Sequence, residues 1–190
     1  MKINIVLIGF MGAGKTEVGR IIAKNTGLNF IDIDSLIEKQ EGMTITEIFE
    51  KKGEKHFRDL ETEILKKIEK IKVSDFKSDT FIGNDFKPDV LFVISTGGGM
   101  PAFNGNMKIL KKIGTVIYLK ADPSVIYERI KSETHRPVLG AGNFTLKSVQ
   151  DKLKEREKFY KQADITIYTE GLTASAVAEE IGIFLNKNKN

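Results

Sequence analysis

The sequence predicts an α/β fold built around a mainly parallel β-sheet. Short strand-like apolar runs alternate with longer runs whose apolar residues recur every three or four positions, the pattern of strands separated by amphipathic helices. One run, residues 90–95 (VLFVIS), is almost entirely apolar, as expected of a parallel strand that helices cover on both faces. The first run, residues 3–8, leads into a glycine-rich loop and then into a helical pattern.

The predicted elements can be placed in order along the chain. Strands are expected over residues 3–8, 29–33, 90–95, 115–119 and 164–167. Helices are expected over residues 15–26, 101–112, 123–131, 146–162 and 173–185, with further helical stretches between residues 34 and 71. This regular alternation is typical of strands joined by helical crossovers.

Local signals mark the helix boundaries between residues 34 and 71. Asp34 and Ser35 are expected to cap the helix that follows the second strand. Thr44 and Glu47 form a capping-box pattern that opens the next helix, and Gly53 interrupts that helix. After the interruption, apolar residues again step by three or four positions and predict a packed helix: Phe57, Leu60, Ile64, Ile68 and Ile71.

Two polar stretches break the alternation. Residues 73–89 are expected to form a loop or a small hairpin. Residues 132–143, which include Gly140-Ala141-Gly142, are expected to form a mobile loop with glycine hinges, so that about 132–145 would act as a lid. A chain of 190 residues without internal repeats suits one domain, residues 1–190.

The composition excludes several classes of function. The chain has no cysteine, which excludes disulfides, thiol catalysis and cysteine-bound metal, and its two histidines, His56 and His135, are far apart in sequence. The net charge of +4 comes from scattered lysines, which favours anionic small molecules over nucleic acid as partners. No apolar run is long enough to span a membrane and the first residues do not form a signal peptide, so we expect a cytoplasmic protein.

A phosphate-binding loop is predicted directly behind the first strand. Residues 9–16, GFMGAGKT, fit the pattern G-x-x-x-x-G-K-[ST]. Glycines let backbone N–H groups approach a phosphate chain closely, and the positive end of the following helix favours the anion. Lys15 can reach the β- and γ-phosphates, and the Thr16 hydroxyl can bind Mg²⁺. A glycine-rich turn without this chemistry is the alternative, and the strand–loop–helix context argues against it.

Two further groups follow strands whose carboxyl ends should meet this loop. Asp32 and Asp34 follow the second strand at a spacing that puts two carboxylates on one face of an extended chain. One can support Mg²⁺ through water and the other can accept a proton from an acceptor hydroxyl, but the spacing fits Asp34 as a simple helix cap equally well. Residues 96–99, TGGG, indicate backbone lying against a ligand, with a flexible turn as the alternative.

Three arginines suit anionic groups. Arg156 continues the apolar stripe that residues 146, 149, 153 and 160 form on its helix. A guanidinium on a core-facing line needs an anionic partner such as a bound carboxylate, unless it extends to solvent at the helix end. Arg58 lies one residue off the stripe of its own helix. Arg136, in the expected lid, either stabilises transition-state charge on the γ-phosphate or is an exposed residue without a role.

One residue that is usual in hydrolytic P-loop proteins is missing. The third strand ends in Ser95 and Thr96, where GTPases and motor ATPases usually carry an aspartate that holds Mg²⁺. Its absence favours small-molecule phosphotransferases, in which Asp32 would take over part of that role.

With these residues in place, the sequence resembles the shikimate kinase family over nearly its whole length. The shared blocks are, in order, GFMGAGKT with Val18-Gly19-Arg20, Asp32-x-Asp34-x-x-Ile37-Glu38, Gly42 with Ile45 and Glu47-Ile48-Phe49, Gly53-Glu54-x-x-Phe57-Arg58-x-x-Glu61, Thr96-Gly97-Gly98-Gly99, Arg136-Pro137, and Arg156-x-x-x-Tyr160. Residues 73–89 form an insertion relative to the family's usual chain.

The resemblance implies a three-layer α/β/α P-loop kinase fold, similar to nucleoside monophosphate kinases, with a five-stranded parallel sheet and a mobile lid. It implies a monomer that uses Mg²⁺ and transfers the γ-phosphoryl group of ATP to the 3-hydroxyl of shikimate, giving shikimate 3-phosphate and ADP in the route to chorismate and the aromatic amino acids. The alternatives are another small-molecule P-loop kinase, such as a gluconate kinase, and a non-catalytic ATP-binding relative. Two arginines suited to one carboxylate favour an acidic acceptor.

The resemblance also implies individual roles. The residues expected to bind ATP are Gly12, Ala13, Gly14, Lys15, Thr16, Glu17 and the lid residue Arg136. Thr16 is expected to bind Mg²⁺ directly, and Asp32 through water. The residues expected to bind shikimate are Asp34, Arg58, Gly97, Gly98, Gly99 and Arg156, with both arginines on the carboxylate. The catalytic candidates are Lys15, Asp34 as the base, and Arg136.

Overall fold

The computed structural model describes residues 4–70, 91–131 and 145–187. Five strands are present: β1 (Asn4–Ile8), β2 (Asn29–Asp32), β3 (Phe92–Ser95), β4 (Gly114–Lys120) and β5 (Ile165–Tyr168). Seven α-helices accompany them: α1 (Lys15–Thr26), α2 (Ile33–Glu41), α3 (Ile45–Lys70), α4 (Asn106–Ile113), α5 (Pro123–Ile130), α6 (Leu146–Tyr160) and α7 (Ala174–Lys187). None of the helices in these ranges is long and apolar enough to cross a membrane.

The sheet is parallel throughout, with strand order β2-β3-β1-β4-β5, which confirms the predicted five-stranded parallel sheet. The central strand is β1, whose Val6 lies opposite Ile94 of β3 and Val116 of β4. Its last three residues are fully buried, as expected of a strand covered on both faces. The loop after β1 therefore leaves the middle of the sheet at its carboxyl edge, where ligands bind in such folds.

The helices pack against one another around this sheet. Helix α1 packs against α7 and β3, α3 packs against α2 and α4, and α5 packs against α6. The apolar residues that the strands and helices bury form one continuous core. That core fixes the carboxyl edge of the sheet, so the loops that follow β1 and β3, and the helix that follows β2, start from rigid positions.

Most predicted boundaries lie within two residues of those observed, and α1 has the predicted bounds. The largest difference is the helix predicted over 101–112. A short 3₁₀ helix, Met100–Ala102, occupies its beginning, and α4 starts only at Asn106. Gly105, at φ 68°, precedes that start, and its left-handed conformation cannot continue a right-handed helix.

The expected caps around α2 and α3 have mixed outcomes. The capping box is confirmed, because the Thr44 and Glu47 side chains each accept a hydrogen bond from the other residue's backbone N–H, at 3.2 and 3.0 Å. The break at Gly53 is also confirmed by its non-helical angles, φ 83° and ψ 165°. The expected cap at Asp34 and Ser35 is wrong: Asp32 caps α2, and its carboxylate accepts the Ser35 N–H at 3.2 Å.

Two predicted segments cannot be compared with the structure. The loop or hairpin over 73–89 lies outside the described residues, and so does the lid over 132–145 except for its last residue, Thr145.

Candidate active site

The phosphate-binding loop connects β1 to α1 and is held in a fixed shape. Gly9 adopts φ 144°, and a Cβ there would lie 2.6 Å from the Leu119 carbonyl oxygen of β4. The Lys15 ammonium, nearly buried, donates to the carbonyl oxygens of Gly9 and Phe10 at 3.0 and 2.9 Å. The predicted loop is therefore present, with its lysine folded over its own backbone.

Thr16, the first residue of α1 after that lysine, lies in a cluster of oxygen atoms. Its hydroxyl donates to Asp32 Oδ2 at 2.8 Å and lies 3.3 Å from the Ser95 hydroxyl oxygen. The register of β2 on β3 places Asp32 directly opposite Ser95. Ser95 lies at the end of β3, where other P-loop proteins carry their metal-binding aspartate, and the Asp32 carboxylate of β2 lies beside it, as the sequence predicted. Sequence analysis missed the contact from Ser95.

Oxygen donors of this kind suit Mg²⁺, which keeps several of its waters and takes few protein ligands. Among the described residues, no cluster of three or more histidine, cysteine, aspartate or glutamate side chains could hold a metal. Thr16 and Asp32 therefore fit a cation whose other ligands are phosphate and water, and they do not form a complete protein cage.

Asp34 lies in the first turn of α2, and its carboxylate faces the glycine run that follows β3. A Cβ built on Gly97 would lie 2.7 Å from Asp34 Oδ1 and 2.6 Å from Glu61 Oε1. The alternative in which Asp34 merely caps α2 is wrong, because Asp32 does so. The expectation that Asp32 and Asp34 share one face of a strand is also wrong, since the strand ends at Asp32.

The glycine run is tightly packed, and each of its members contacts a different part of the site. Gly97 lies against Asp34 and Glu61, as described above. A Cβ on Gly98 would lie 2.8 Å from the Met11 nitrogen of the phosphate-binding loop, and one on Gly99 would lie 2.6–2.7 Å from three atoms of the Arg58 guanidinium. Because the run carries no side chains, Asp34, Glu61 and Arg58 can lie close to it on one side and the phosphate-binding loop on the other.

Arg58, on α3, is 4% exposed and anchored by two carboxylates. Its Nη1 donates to Glu61 at 2.8 Å, while Nε and Nη2 donate to Glu54 at 3.2 and 2.9 Å. These bonds use three of the five guanidinium N–H groups. The remaining two, one on each terminal nitrogen, leave a pair of donors that matches a carboxylate.

Arg156, on α6, is 5% exposed, as its position on the core-facing stripe predicted, although Leu146 at the start of that stripe is exposed. The alternative in which Arg156 extends to solvent is wrong. Its guanidinium lies 5.4 Å from the centre of the Phe10 ring, and Nη1 is buried without a hydrogen-bond partner among the residues that the structure describes. A buried donor of this kind is costly unless a ligand satisfies it.

Glu61 and Tyr160 lie among Asp34, Arg58 and Arg156, and neither was assigned a role from the sequence. Burial raises the pKa of Glu61 to about 7, the Arg58 charge works in the opposite direction, and the Asp34 carboxylate raises it further. Burial works to lower the pKa of Arg58, but Glu61 and Glu54 outweigh it and raise that pKa. Burial raises the pKa of Tyr160 to about 12 despite the nearby Arg156, and its hydroxyl donates to the Gly98 carbonyl.

A cavity of about 450 Å³ lies along the phosphate-binding loop and extends to Asp34 and Gly98. Its lining includes all six predicted ATP-binding residues from Gly12 to Glu17, and also Asp34 and Gly98. Five lining residues come from distant segments and were not assigned a role from the sequence: Arg129, Thr169, Leu172, Ala174 and Val177. Arg129 donates to the Gly12 carbonyl oxygen at 3.0 Å. Arg136 lies outside the described residues, so the structure does not place it.

The fold and this site define a class, the P-loop kinases of three-layer α/β/α architecture. Comparison with known proteins is more specific. The sequence model of the family described as Shikimate kinase matches residues 11–74 and 85–186. The chain therefore belongs to the shikimate kinase family.

Individual relatives agree over nearly the full chain. The shikimate kinase of Thermodesulfovibrio yellowstonii is 45% identical over 178 residues, which cover 94% of this chain and 92% of the relative. That of Persephonella marina is 39% identical over 178 residues, covering 94% and 96%. A solved structure, the shikimate kinase of Acinetobacter baumannii in complex with shikimate, is 35% identical with a TM-score of 0.84, and the match covers 98% of this chain and 94% of that one.

Proposed function

We propose that this chain transfers the γ-phosphoryl group of ATP to the 3-hydroxyl of shikimate, in the route to chorismate and the aromatic amino acids. One observation carries the proposal: two buried arginines, one with an unsatisfied donor, act electrostatically on Glu61 together with Asp34, a carboxylate that shares a cavity with the phosphate-binding loop. The arginines suit an acceptor with a carboxylate, and Asp34 suits an acceptor with a hydroxyl. Shikimate carries both, and its kinases are this chain's relatives.

The donor half would act by positioning and charge, because phosphoryl transfer requires little covalent work from a protein. Backbone N–H groups from Gly12 to Thr16 would surround the phosphates. The Lys15 ammonium would exchange its contacts with the Gly9 and Phe10 carbonyls for phosphate oxygens. Glu17 and Arg129 line the same cavity, while Arg136 would approach the γ-phosphate from the lid.

Mg²⁺ fits the oxygen donors present. Thr16 would bind it directly and Asp32 through water, since the two side chains already lie 2.8 Å apart at the end of the phosphate-binding loop. When bound with ATP, the metal would supply charge neutralisation at the β- and γ-phosphates.

The acceptor half would hold shikimate by its carboxylate and orient its hydroxyl. Arg58 and Arg156 would bind the carboxylate, and the backbone of residues 97–99 would lie against the ring. Asp34 would accept the proton of the 3-hydroxyl while that oxygen forms a bond to the γ-phosphorus and the bond to the ADP oxygen breaks. All the groups proposed to bind the two substrates come from one chain, which supports a protein that acts as a monomer of one domain. Its use of ATP supports a cytoplasmic location.

The test is an ADP-release assay of the full chain with Mg²⁺ and a panel of acceptors: shikimate, gluconate and nucleoside monophosphates. We expect turnover on shikimate alone, and an Asp34→Asn control that lowers kcat by a factor on the order of 10²–10⁴, the range of a general-base contribution. Turnover on gluconate and none on shikimate would contradict the proposed acceptor. ATP binding without ADP release on any acceptor would favour a non-catalytic relative.

A further inference from the structure

Three phenylalanines surround the Arg58 guanidinium, and one of them comes from another part of the chain. The ring centres of Phe103, Phe57 and Phe49 lie 4.4, 5.2 and 6.0 Å from its central carbon. Phe57 and Phe49 belong to α3, the helix that carries Arg58. Phe103 is the nearest and follows the 3₁₀ helix after the glycine run, so it approaches the guanidinium from an independent segment.

The segment that carries Phe103 is a closed turn whose two ends both contact Arg58. Its backbone is fixed by the Ala102 N–H donating to the Gly99 carbonyl oxygen at 3.0 Å and by the Phe103 N–H donating to that of Met100 at 3.3 Å. Gly99, at the start of the turn, packs against the guanidinium, and the Phe103 ring, at its end, lies 4.4 Å from it. One rigid turn therefore touches the arginine head at two points.

Asn104 fastens the same turn to α3. Its side-chain amide donates to the Thr62 hydroxyl at 3.1 Å and, more weakly, to the backbone carbonyl of Arg58 at 3.4 Å. The Thr62 hydroxyl donates to that same carbonyl at 3.0 Å. The backbone of Arg58 and the ring above its side chain are thus tied to each other, so the turn cannot move away from the arginine without losing these bonds.

We propose that Phe103 is a positioning residue that holds the Arg58 guanidinium ready for the substrate carboxylate. An aromatic ring attracts a guanidinium through its face and takes none of its N–H groups. The two donors that Glu54 and Glu61 leave available therefore stay available. An arginine held in place before binding loses less side-chain freedom when the carboxylate arrives. This inference rests on the proposed function only for the identity of that carboxylate.

The role predicts a specific kinetic pattern. Phe103→Leu keeps an apolar side chain but removes the ring, and we expect KM for shikimate to rise about 5- to 30-fold, the range for a desolvated cation–π contact of 1–2 kcal/mol. The kcat value and KM for ATP should stay within about twofold of wild type, because the interaction is equal in ground and transition states. Phe103→Tyr, which keeps the ring, should leave KM for shikimate near its wild-type value.

A matched control is available elsewhere in the chain. Phe30, in β2, is also half-buried and also lies beneath an arginine, with the central carbon of Arg20 at 5.8 Å from the ring centre. We expect Phe30→Leu to lower stability without changing KM for shikimate. A rise in KM equal to that of Phe103→Leu would overturn the proposal, as would Phe103→Tyr behaving like Phe103→Leu.

A second measurement needs no substrate. In a double-mutant cycle on urea unfolding of the unliganded chain, Phe103→Leu and Arg58→Met should be non-additive, with a coupling factor of about 5- to 30-fold in the unfolding constant. Additivity would overturn the proposal whatever the chain phosphorylates. Coupling without turnover of shikimate by the wild-type chain would instead overturn the proposed function, together with the carboxylate assigned to Arg58.

Discussion

At the scale of single residues, the spacing between the groups proposed to bind the two substrates depends on the absence of side chains from residues 97–99. A Cβ built on Gly97 would lie closest to oxygens of Glu61 and Asp34, while one on Gly98 or Gly99 would meet the phosphate-binding loop or Arg58. Each glycine allows a contact at 2.6–2.8 Å from the place where a Cβ would lie. In the proposed site, the run would therefore determine how near the acceptor can come to the γ-phosphate.

The first prediction at this scale concerns Gly97→Ala. Its methyl group would displace the ends of two side chains, which can move, so the fold should survive. The Asp34 and Glu61 carboxylates would shift by up to about 1 Å. Since a misplacement of reacting groups by about 1 Å can cost a factor on the order of 10², kcat/KM for shikimate should fall by about that factor. Gly182→Ala in α7 is the control, because nothing lies within 4 Å of its Cβ position, and it should keep full activity. Normal turnover by Gly97→Ala would contradict this view of the run.

The second prediction concerns the pH dependence that Glu61 gives to stability. Burial raises its pKa from 4.5 to about 7, so the folded chain binds this proton more tightly than the unfolded chain does. The stability that Glu61 contributes is then complete below about pH 4.5 and is lost as pH rises through about 7. Urea unfolding of wild type and Glu61→Gln should show the wild type losing stability relative to the variant across that window. A difference that stays constant with pH would show that the pKa is not raised.

At the scale of secondary structure elements, the sequence predicted correctly those helix boundaries that depend on residues close together in the chain. The bounds of α1 follow from the glycines at its two ends and from its apolar spacing, and the capping box of α3 involves only Thr44 and Glu47. Asp32 and Asp34 could not be told apart in this way. Either carboxylate could cap α2, and it is the tertiary contact of Asp34 with Gly97 that separates their positions.

Other parts of the site depend on which elements become neighbours in space. Arg129 on α5, and Thr169 and Leu172 between β5 and α7, reach the phosphate-binding loop only because β4 and β5 follow β1 in the sheet. No spacing within those segments indicates a nucleotide. The 3₁₀ turn that brings Phe103 to Arg58 was likewise predicted as plain helix, because Pro101 is also a good first residue of an α-helix.

The prediction at this scale concerns the break in α3. Gly53 separates the half that begins at the capping box from the half that carries Arg58, and its angles, φ 83° and ψ 165°, belong to a region almost restricted to glycine. Gly53→Asn should therefore lower the free energy of unfolding by about 1–3 kcal/mol. Gly42 ends α2 at φ 63° and ψ 22°, a left-handed conformation that asparagine tolerates, so Gly42→Asn is the matched control and should cost clearly less. Equal losses in urea unfolding would show that the break imposes no special backbone requirement.

At the scale of the whole molecule, the two proposed halves of the site, one for ATP and one for shikimate, are built from different elements. The donor half rests on β1 and α1, in the middle of the sheet. The acceptor half is assembled from α2, α3, the run after β3, and α6, which are held around it by the core. Because the groups that bind each substrate come from separate elements, each half should bind its own substrate when the other half is disabled.

Thermal unfolding with one substrate at a time tests this separation. A ligand present at 100 times its Kd stabilises the folded chain by about 2.7 kcal/mol, which corresponds to a rise in Tm of roughly 5–10 °C for a chain of this size. Lys15→Met should lose the rise given by Mg²⁺ and ATP and keep the rise given by shikimate. Arg156→Met should do the reverse, because its Nη1 is a buried donor without a hydrogen-bond partner in the described residues. If either variant lost both responses, the two halves would form a single cooperative site, and the assignment of Arg156 to the acceptor alone would fail.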